Sequence, residues 1–207
     1  EKISNSYLGP ITNFLKRYGK FAFFILLLIS LYRIADVVMG VMANIFYLEK
    51  GYKISEIATF SKFFGVFATI VGGFIGGYCS YKFGTMKALF FGAFIAALSN
   101  LLFAWLAVSP TSVNFLIAVI TADNISSGFA GAAFVIYLSG LTSIKFTATQ
   151  YALFSSIMLF LPKLIAGYAG SWVDIMGYAY FFSFTAFLGI PVLLLIIWIG
   201  KVAPIKN

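Results

Sequence analysis

The chain has 207 residues, 62% of them hydrophobic and only 10% charged, with a mean hydropathy of +1.01. Soluble domains run at about 45–50% apolar and about 25% charged, so these values call for an integral membrane protein. The net charge of +8 then reads as Lys and Arg in connecting loops, where they set topology, and no nucleic-acid partner is expected.

A single cysteine, Cys79, leaves no disulfide framework or cysteine-based metal site, and the lack of histidine removes His-dependent triads and His-bound zinc. No catalytic residue, metal ligand or bound cofactor is expected; a membrane-embedded enzyme is the least favoured reading. The chain opens on Glu1 without a cleavable signal pattern, which reads as a piece of something longer.

Residues 1–20 are polar, are interrupted by Gly9-Pro10 and carry Lys16, Arg17 and Lys20, as a cytoplasmic linker or N-terminal arm would. Six apolar runs follow, each near the roughly 20 residues that cross a bilayer, and none alternates as a barrel strand does. Helix 1 is expected from about Phe21 to Leu48, and helix 2 from Ser55, read as its N-cap, to the glycine-rich stretch at 72–77. Helix 3 runs from Ala88 to Val108, stopped by Ser109-Pro110, and helix 4 from Val113 to about Leu138. Thr147 and Gln150 have the spacing of a capping box opening helix 5, which carries Pro162-Lys163 and ends near Gly170. Helix 6 runs from about Tyr178 to Gly200 with a kink at Pro191, and 201–207 form a cytoplasmic tail. The bundle thus fills 21–200.

Gly72, Gly73, Gly76 and Gly77 form two overlapping pairs at the spacing that lets helices approach closely. The pattern Gly77-x3-Tyr81-x2-Gly84, which brackets Lys82 and precedes Lys87, is echoed 93 residues later by Gly170-x3-Asp174-x2-Gly177. Such an echo points to a duplicated three-helix unit, about 21–108 and 113–200, and the odd number of spans makes the copies inverted. Gly73, Gly77, Tyr81, Lys82, Gly84, Lys87, Gly170, Asp174 and Gly177 are the residues expected to pack or gate the helices. At one end the connections hold Lys2, Lys16, Arg17, Lys20, Lys82, Lys87, Lys145, Lys201 and Lys206; at the other only Lys50, Lys53 and Lys62. That imbalance places both termini in the cytoplasm.

Four ionisable residues fall at membrane depth: Arg33, Asp36, Asp123 and Lys163. At about 1.5 Å per residue, Arg33 is roughly 20 Å from Lys20, Asp123 roughly 15 Å from the outer end of helix 4, and Lys163 roughly 20 Å from the inner end of helix 5. Each costs about 2.5–3.5 kcal/mol or more at the bilayer centre, so they should face the interior or a wet cavity. Arg33 and Asp36, spaced i, i+3, suit a self-neutralising pair, and Asp123 with Lys163 an interhelical pair that fixes packing. The functional alternative is that the carboxylates carry coupling protons while Arg33 and Lys163 bind an anionic solute. The small-residue run Ser126 to Ala133 suits close helix packing.

The turn motif resembles the loop signature of the major facilitator superfamily, G-x3-D-[RK]-x-G-[RK]-[RK]: Gly77, Lys82 and Gly84 match, whereas Tyr81 replaces the acid and Thr85 the first basic residue of the last pair. More closely, the segments LYRIADVVMG (31–40), FFGVFATIVGGFIGG (63–77), DNISSGFAGAAFVIYLSGL (123–141), TATQYALFSS (147–156) and GSWVDIMGYAYFF (170–182) resemble the C-terminal half of AmpG-type muropeptide permeases. The resemblance implies one six-helix half of a 3+3 inverted-repeat transporter, with substrate and proton-coupling roles for Arg33, Asp36, Asp123, Asn124 and, one residue out of register, Lys163. It implies proton-driven import of GlcNAc-anhydroMurNAc and its peptides across the bacterial inner membrane for peptidoglycan recycling, with a proton gradient instead of a cofactor. The implied partners are an N-terminal six-helix half, in the same or a separate chain, an amino-sugar and peptide solute, and the lipid bilayer. Alternatives are another major facilitator transporter of an anionic solute such as acetyl-CoA, or a split or non-functional half.

Overall fold

A computed structural model describes residues 2–202, with side chains from Gly9 onward. Glu1 and positions 203–207, including the expected tail residue Lys206, lie outside the described residues, as does the side chain of Lys2. Among the described residues every regular element is helical: α1 Lys2–Tyr18, α2 Ala22–Leu31, α3 Ile34–Glu49, α4 Ile54–Ala58, α5 Gly65–Phe83, α6 Thr85–Val108, α7 Val113–Leu141, α8 Thr147–Ala166, α9 Ala169–Phe187 and α10 Gly189–Val202. A π-helical segment, Thr59–Phe64, joins α4 to α5 and places Lys62 inside helix 2 rather than in a loop. Six stretches are long and apolar enough to cross a membrane: Gly9–Glu49, Ile54–Phe83, Thr85–Val108, Val113–Leu141, Ile144–Ala166 and Ala169–Val202.

Several local readings change. The arm read as a linker is helical through Pro10, because Gln150 holds it from outside. Gln150 Nε2 donates to the Pro10 carbonyl (2.8 Å) and to Asn13 Oδ1 (3.4 Å), and its Oε1 accepts the Ser143 N–H (2.7 Å). Thr147 and Gln150 therefore do not cap each other; Thr147 Oγ1 donates back to the Ser143 carbonyl (2.9 Å). Helix 2 starts one residue before Ser55, with Lys53 as N-cap and its N–H donated to Glu56 Oε2 (3.0 Å). The bend expected at Pro191 falls at Leu188, between α9 and α10, since a proline N removes the bond to the carbonyl four residues back.

The connections define two ends of the bundle. At the near end Arg17 Nη1 donates to the Thr142 carbonyl (3.1 Å), fastening α1 to the last turn of α7. At the far end Lys50 Nζ donates to the Ala107 and Ser109 carbonyls (2.7 Å each), and Tyr52 Oη donates to that of Ser112 (3.1 Å). A lysine placed there satisfies the open carbonyls at the C-terminus of α6.

Gly84 separates α5 from α6 with φ +90° and ψ 151°, and Gly177 interrupts α9 with φ +75° and ψ 163°. Side-chain-bearing residues reach positive φ only at about 1–2 kcal/mol, so both reversals need glycine. Trp172 packs edge-on against Phe184, ring centroids 5.4 Å apart, as the two arms of a hairpin about Gly177. The fifth crossing therefore does not stop near Gly170; it continues past a break at Gly167–Tyr168 to Met176. Gly84 lies at the near end, where Gly200 abuts Met86 two residues on, and Gly177 at the far end beside Glu49, Lys50 and Ala107.

Helix contacts repeat in the same sense. The α5–α7 pairing is matched by α8 on α2 and α3, and the α6–α7 pairing by α10 on α2 and α9 on α3, while α6 meets α9 and α10. Exchange of the two three-helix units maps one set onto the other, so the echo in the sequence is a structural inverted repeat.

The closest of these pairings is α5 on α7. A Cβ at Gly72 would collide with the Ile125 carbonyl, one at Gly76 with the Phe129 carbonyl, and one at Gly128 with the Thr69 carbonyl. Gly77 meets nothing within 4 Å and Gly73 only the Gly128 carbonyl at 3.9 Å. Of the two overlapping glycine pairs, Gly72 and Gly76 thus make the close contact, and Gly73 and Gly77 do not. A side chain at Gly76 must push two backbones apart, an overpacking cost of about 3 kcal/mol. Gly76→Val is expected to lower the thermal melting point of the detergent-purified protein sharply while Gly77→Val melts with the wild type; equal melting of the two would remove this contact as a determinant.

Candidate functional site

The first membrane helix breaks at Tyr32 and Arg33, with Arg33 (φ −97°, ψ 8°) as the N-cap of α3 and Asp36 in that helix's first turn. An acid at a helix N-terminus meets the positive end of the backbone dipoles, and Arg33 Nε stands 3.2 Å from Asp36 Oδ2. This is the one ion pair among the described residues. Its geometry is a charge contact rather than an aligned hydrogen bond, since Arg33 Nε finds no hydrogen-bond acceptor. Tyr32 anchors the break: its hydroxyl donates to the Leu89 carbonyl (3.2 Å), and its ring stacks on Phe134 with centroids 4.4 Å apart.

Across from the break, α7 presents Asp123, Ser127 and Gly131 one turn apart. Arg33 Nη2 donates to Ser127 Oγ (3.2 Å), and Gly131 leaves space for Nη1. Asp123 Oδ1 accepts from Ser99 Oγ of α6 (3.4 Å), and Ser126 Oγ donates to Ser99 Oγ (3.2 Å) and to the Asp123 carbonyl (2.8 Å). Asp123 lies one turn before Ser127, the partner of Arg33, on the same face of α7. The structure therefore brings Arg33, Asp36 and Asp123 into one polar group between α3, α6 and α7, extended by Ser99, Ser126 and Ser127.

Ser99 does not figure among the residues singled out from sequence, and Ser126 and Ser127 figure there only in a small-residue run read as helix packing. The available signal is that Ser127 follows Asp123 by four residues and so shares its helix face.

The other candidates stand apart. Asn124 turns to α5: its Nδ2 donates to the Ile120 carbonyl (2.8 Å), its Oδ1 accepts from Thr69 Oγ1 (3.0 Å), and its amide fills the space beside Gly65. Lys163 forms no pair with Asp123; it lies exposed on α8 in an open groove with Ser155, Ser156 and Phe160. Tyr81 is 89% exposed, and Lys82, Lys87 and Asp174 are exposed as well. Lys82 Nζ lies over the rings of Tyr78 (5.7 Å) and Phe83 (5.4 Å). Gly170 meets nothing. Among the described residues no three Asp, Glu or Cys side chains converge as a metal site.

The pair is part-buried, with side-chain exposures of 22% and 13%; removing one member of a fully buried pair costs about 3–5 kcal/mol, and a smaller loss is expected here, whereas neutral replacement of both is milder still. Arg33→Gln is expected to destabilise the detergent-solubilised protein and Arg33→Gln with Asp36→Asn to recover most of the loss. Additive losses in thermal melts would mean that the two side chains act separately.

No protein-family model matches the chain. Among curated proteins, it is 37% identical over 194 residues to "Putative transporter AmpG 4" of Rickettsia felis, covering 94% of this chain and 46% of that protein. It is 36% identical over 196 residues to the protein of the same name from Rickettsia conorii, covering 95% of this chain and 47% of the relative. To "Putative transporter AmpG 1" of Rickettsia bellii it is 37% identical over 189 residues, 90% of this chain and 46% of the relative. The chain spans about half the length of the curated relatives it matches. With six apolar crossings and this identity along nearly its whole length, the chain is similar to about half of each of these transporters.

Proposed function

We propose that this chain acts as the C-terminal half of a proton-coupled permease importing muropeptides, GlcNAc-anhydroMurNAc and its peptides, across the bacterial inner membrane. The observation that carries the reading is the charge count of the group between α3, α6 and α7. Arg33 balances Asp36, and Asp123, held by the Ser99 hydroxyl alone, has no cation of its own. A lone carboxylate at that depth costs about 2.5–3.5 kcal/mol, which a bound proton removes. Asp123 is thus the proton carrier. Arg33, whose side chain is part-exposed with Nη1 close to Gly131, is the anchor for a substrate carboxylate, for which a planar guanidinium is suited.

The groove of Ser155, Ser156 and Lys163 on α8 supports the need for a second half. Exposed polar side chains in the middle of a span are costly against lipid, so this face packs on the partner half and lines the path. The near end carries Lys16, Arg17, Lys20, Lys82, Lys87, Lys145 and Lys201, against Lys50 and Lys53 at the far end. That excess makes the near end cytoplasmic.

In the full-length protein reconstituted in vesicles, Asp123→Asn is expected to abolish uptake of labelled anhydromuropeptide driven by a pH gradient while leaving membrane insertion intact; wild-type uptake by that variant would remove Asp123 from coupling. Orientation has its own check. In a Cys79→Ser background, Lys145→Cys is expected to react with an impermeant maleimide only from the cytoplasmic side, and Lys53→Cys only from the outside. The reverse pattern would invert the topology.

A further inference from the structure

The near end of the bundle is positively charged, and among the described residues no acid neutralises it. All the acids among the described residues lie elsewhere: Asp36 and Asp123 in the buried group, Glu49, Glu56 and Asp174 towards the far end. The basic side chains Lys82, Lys87 and Lys201 close α5, open α6 and close α10, and none makes an ion pair. Among the described residues no acid lies beside them.

Lys87 also joins two apolar grooves. One, of about 580 Å³, runs between α5 and α6 and is lined by Cys79, Phe83, Phe91, Ile95 and Phe129. The other, of about 430 Å³, runs between α6 and α10 and is lined by Met86, Phe90, Phe91, Ile196, Ile197 and Gly200. Lys87 belongs to both walls, and Phe91, one turn deeper on α6, divides them. Both grooves are lined almost wholly by apolar side chains, as suits a lipid-facing surface.

We propose that this is a specific site for one anionic glycerophospholipid of the leaflet at the near end: its phosphate sits on Lys87, with Lys82 and Lys201 alongside, and its two acyl chains straddle α6, one in each groove. The two-chain form of the ligand matches the paired grooves, and its charge matches the unneutralised end. A basic side chain near a membrane surface contributes roughly 1 kcal/mol to anionic-lipid binding, so loss of Lys87 is expected to weaken binding about fivefold.

The test uses the full-length protein purified in detergent, with melting temperature and native mass spectrometry as readouts. Phosphatidylglycerol should raise the melting temperature and leave bound lipid on the wild type. Lys87→Gln should lose most of both, Lys87→Arg should keep both, and Lys145→Gln, at the same end but away from the grooves, should behave as wild type. An equal rise with phosphatidylcholine would show that the grooves take any lipid and overturn the charge assignment. An equal rise with inorganic phosphate alone would show an anion site without lipid, and undiminished phosphatidylglycerol binding by Lys87→Gln would place the lipid elsewhere; each overturns the proposal.

Discussion

The arrangement depends first on the backbone contact between α5 and α7. Within a bilayer, apolar side chains gain little by leaving lipid for protein, and helices associate through close van der Waals packing. Gly72 and Gly76 admit the Ile125 and Phe129 carbonyls, and Gly128 admits that of Thr69. With that side of α7 fixed, Asp123, Ser127 and Gly131 are presented from its other side towards the break in the first helix. The height of Asp123 relative to Arg33 is therefore set by glycines that carry no chemistry.

The second constraint is the repeat. Two glycines in nearly the same strained conformation, Gly84 and Gly177, reverse the chain at opposite ends of the bundle. Because the helix contacts follow the same exchange, spans 1 and 4 occupy equivalent places and meet at the centre. Arg33 and Asp36 come from the first, Asp123 and Ser127 from the second. The polar group thus lies between the repeats, where a shift of one unit against the other is felt most.

Hydropathy and the glycine echo made the number of spans, their order and the inverted repeat legible, because a bilayer imposes length and apolarity on each crossing. What local spacing cannot supply is the neighbour. Gln150 has a capping partner three residues away in Thr147, yet it bonds to Pro10, 140 residues away, and thereby turns a polar arm into a docked helix. Lys163 sits at the right depth to meet Asp123 but faces out of the bundle, since depth along a helix says nothing about which way the face turns. Spacing offers two overlapping glycine pairs, and only the neighbour selects Gly72 and Gly76 over Gly73 and Gly77, one step round the helix. Serine, polar yet uncharged, is common in membrane helices, so Ser99 and Ser126 stand out only once Asp123 lies beside them.

Arg33 and Asp36 share one helix terminus, three residues apart, and no movement of helices can separate them. Their mutual neutralisation survives any rearrangement of the two units. Asp123 differs: it stands on the other repeat and accepts from a hydroxyl of α6, so its surroundings change when α7 moves against α3 or α6. On the proposed function this division assigns the roles, with a fixed pair that presents Arg33 to a substrate and a single acid whose proton affinity follows the conformation. A carrier that couples a gradient to a solute needs both properties, and here they are separated onto the two halves of the repeat.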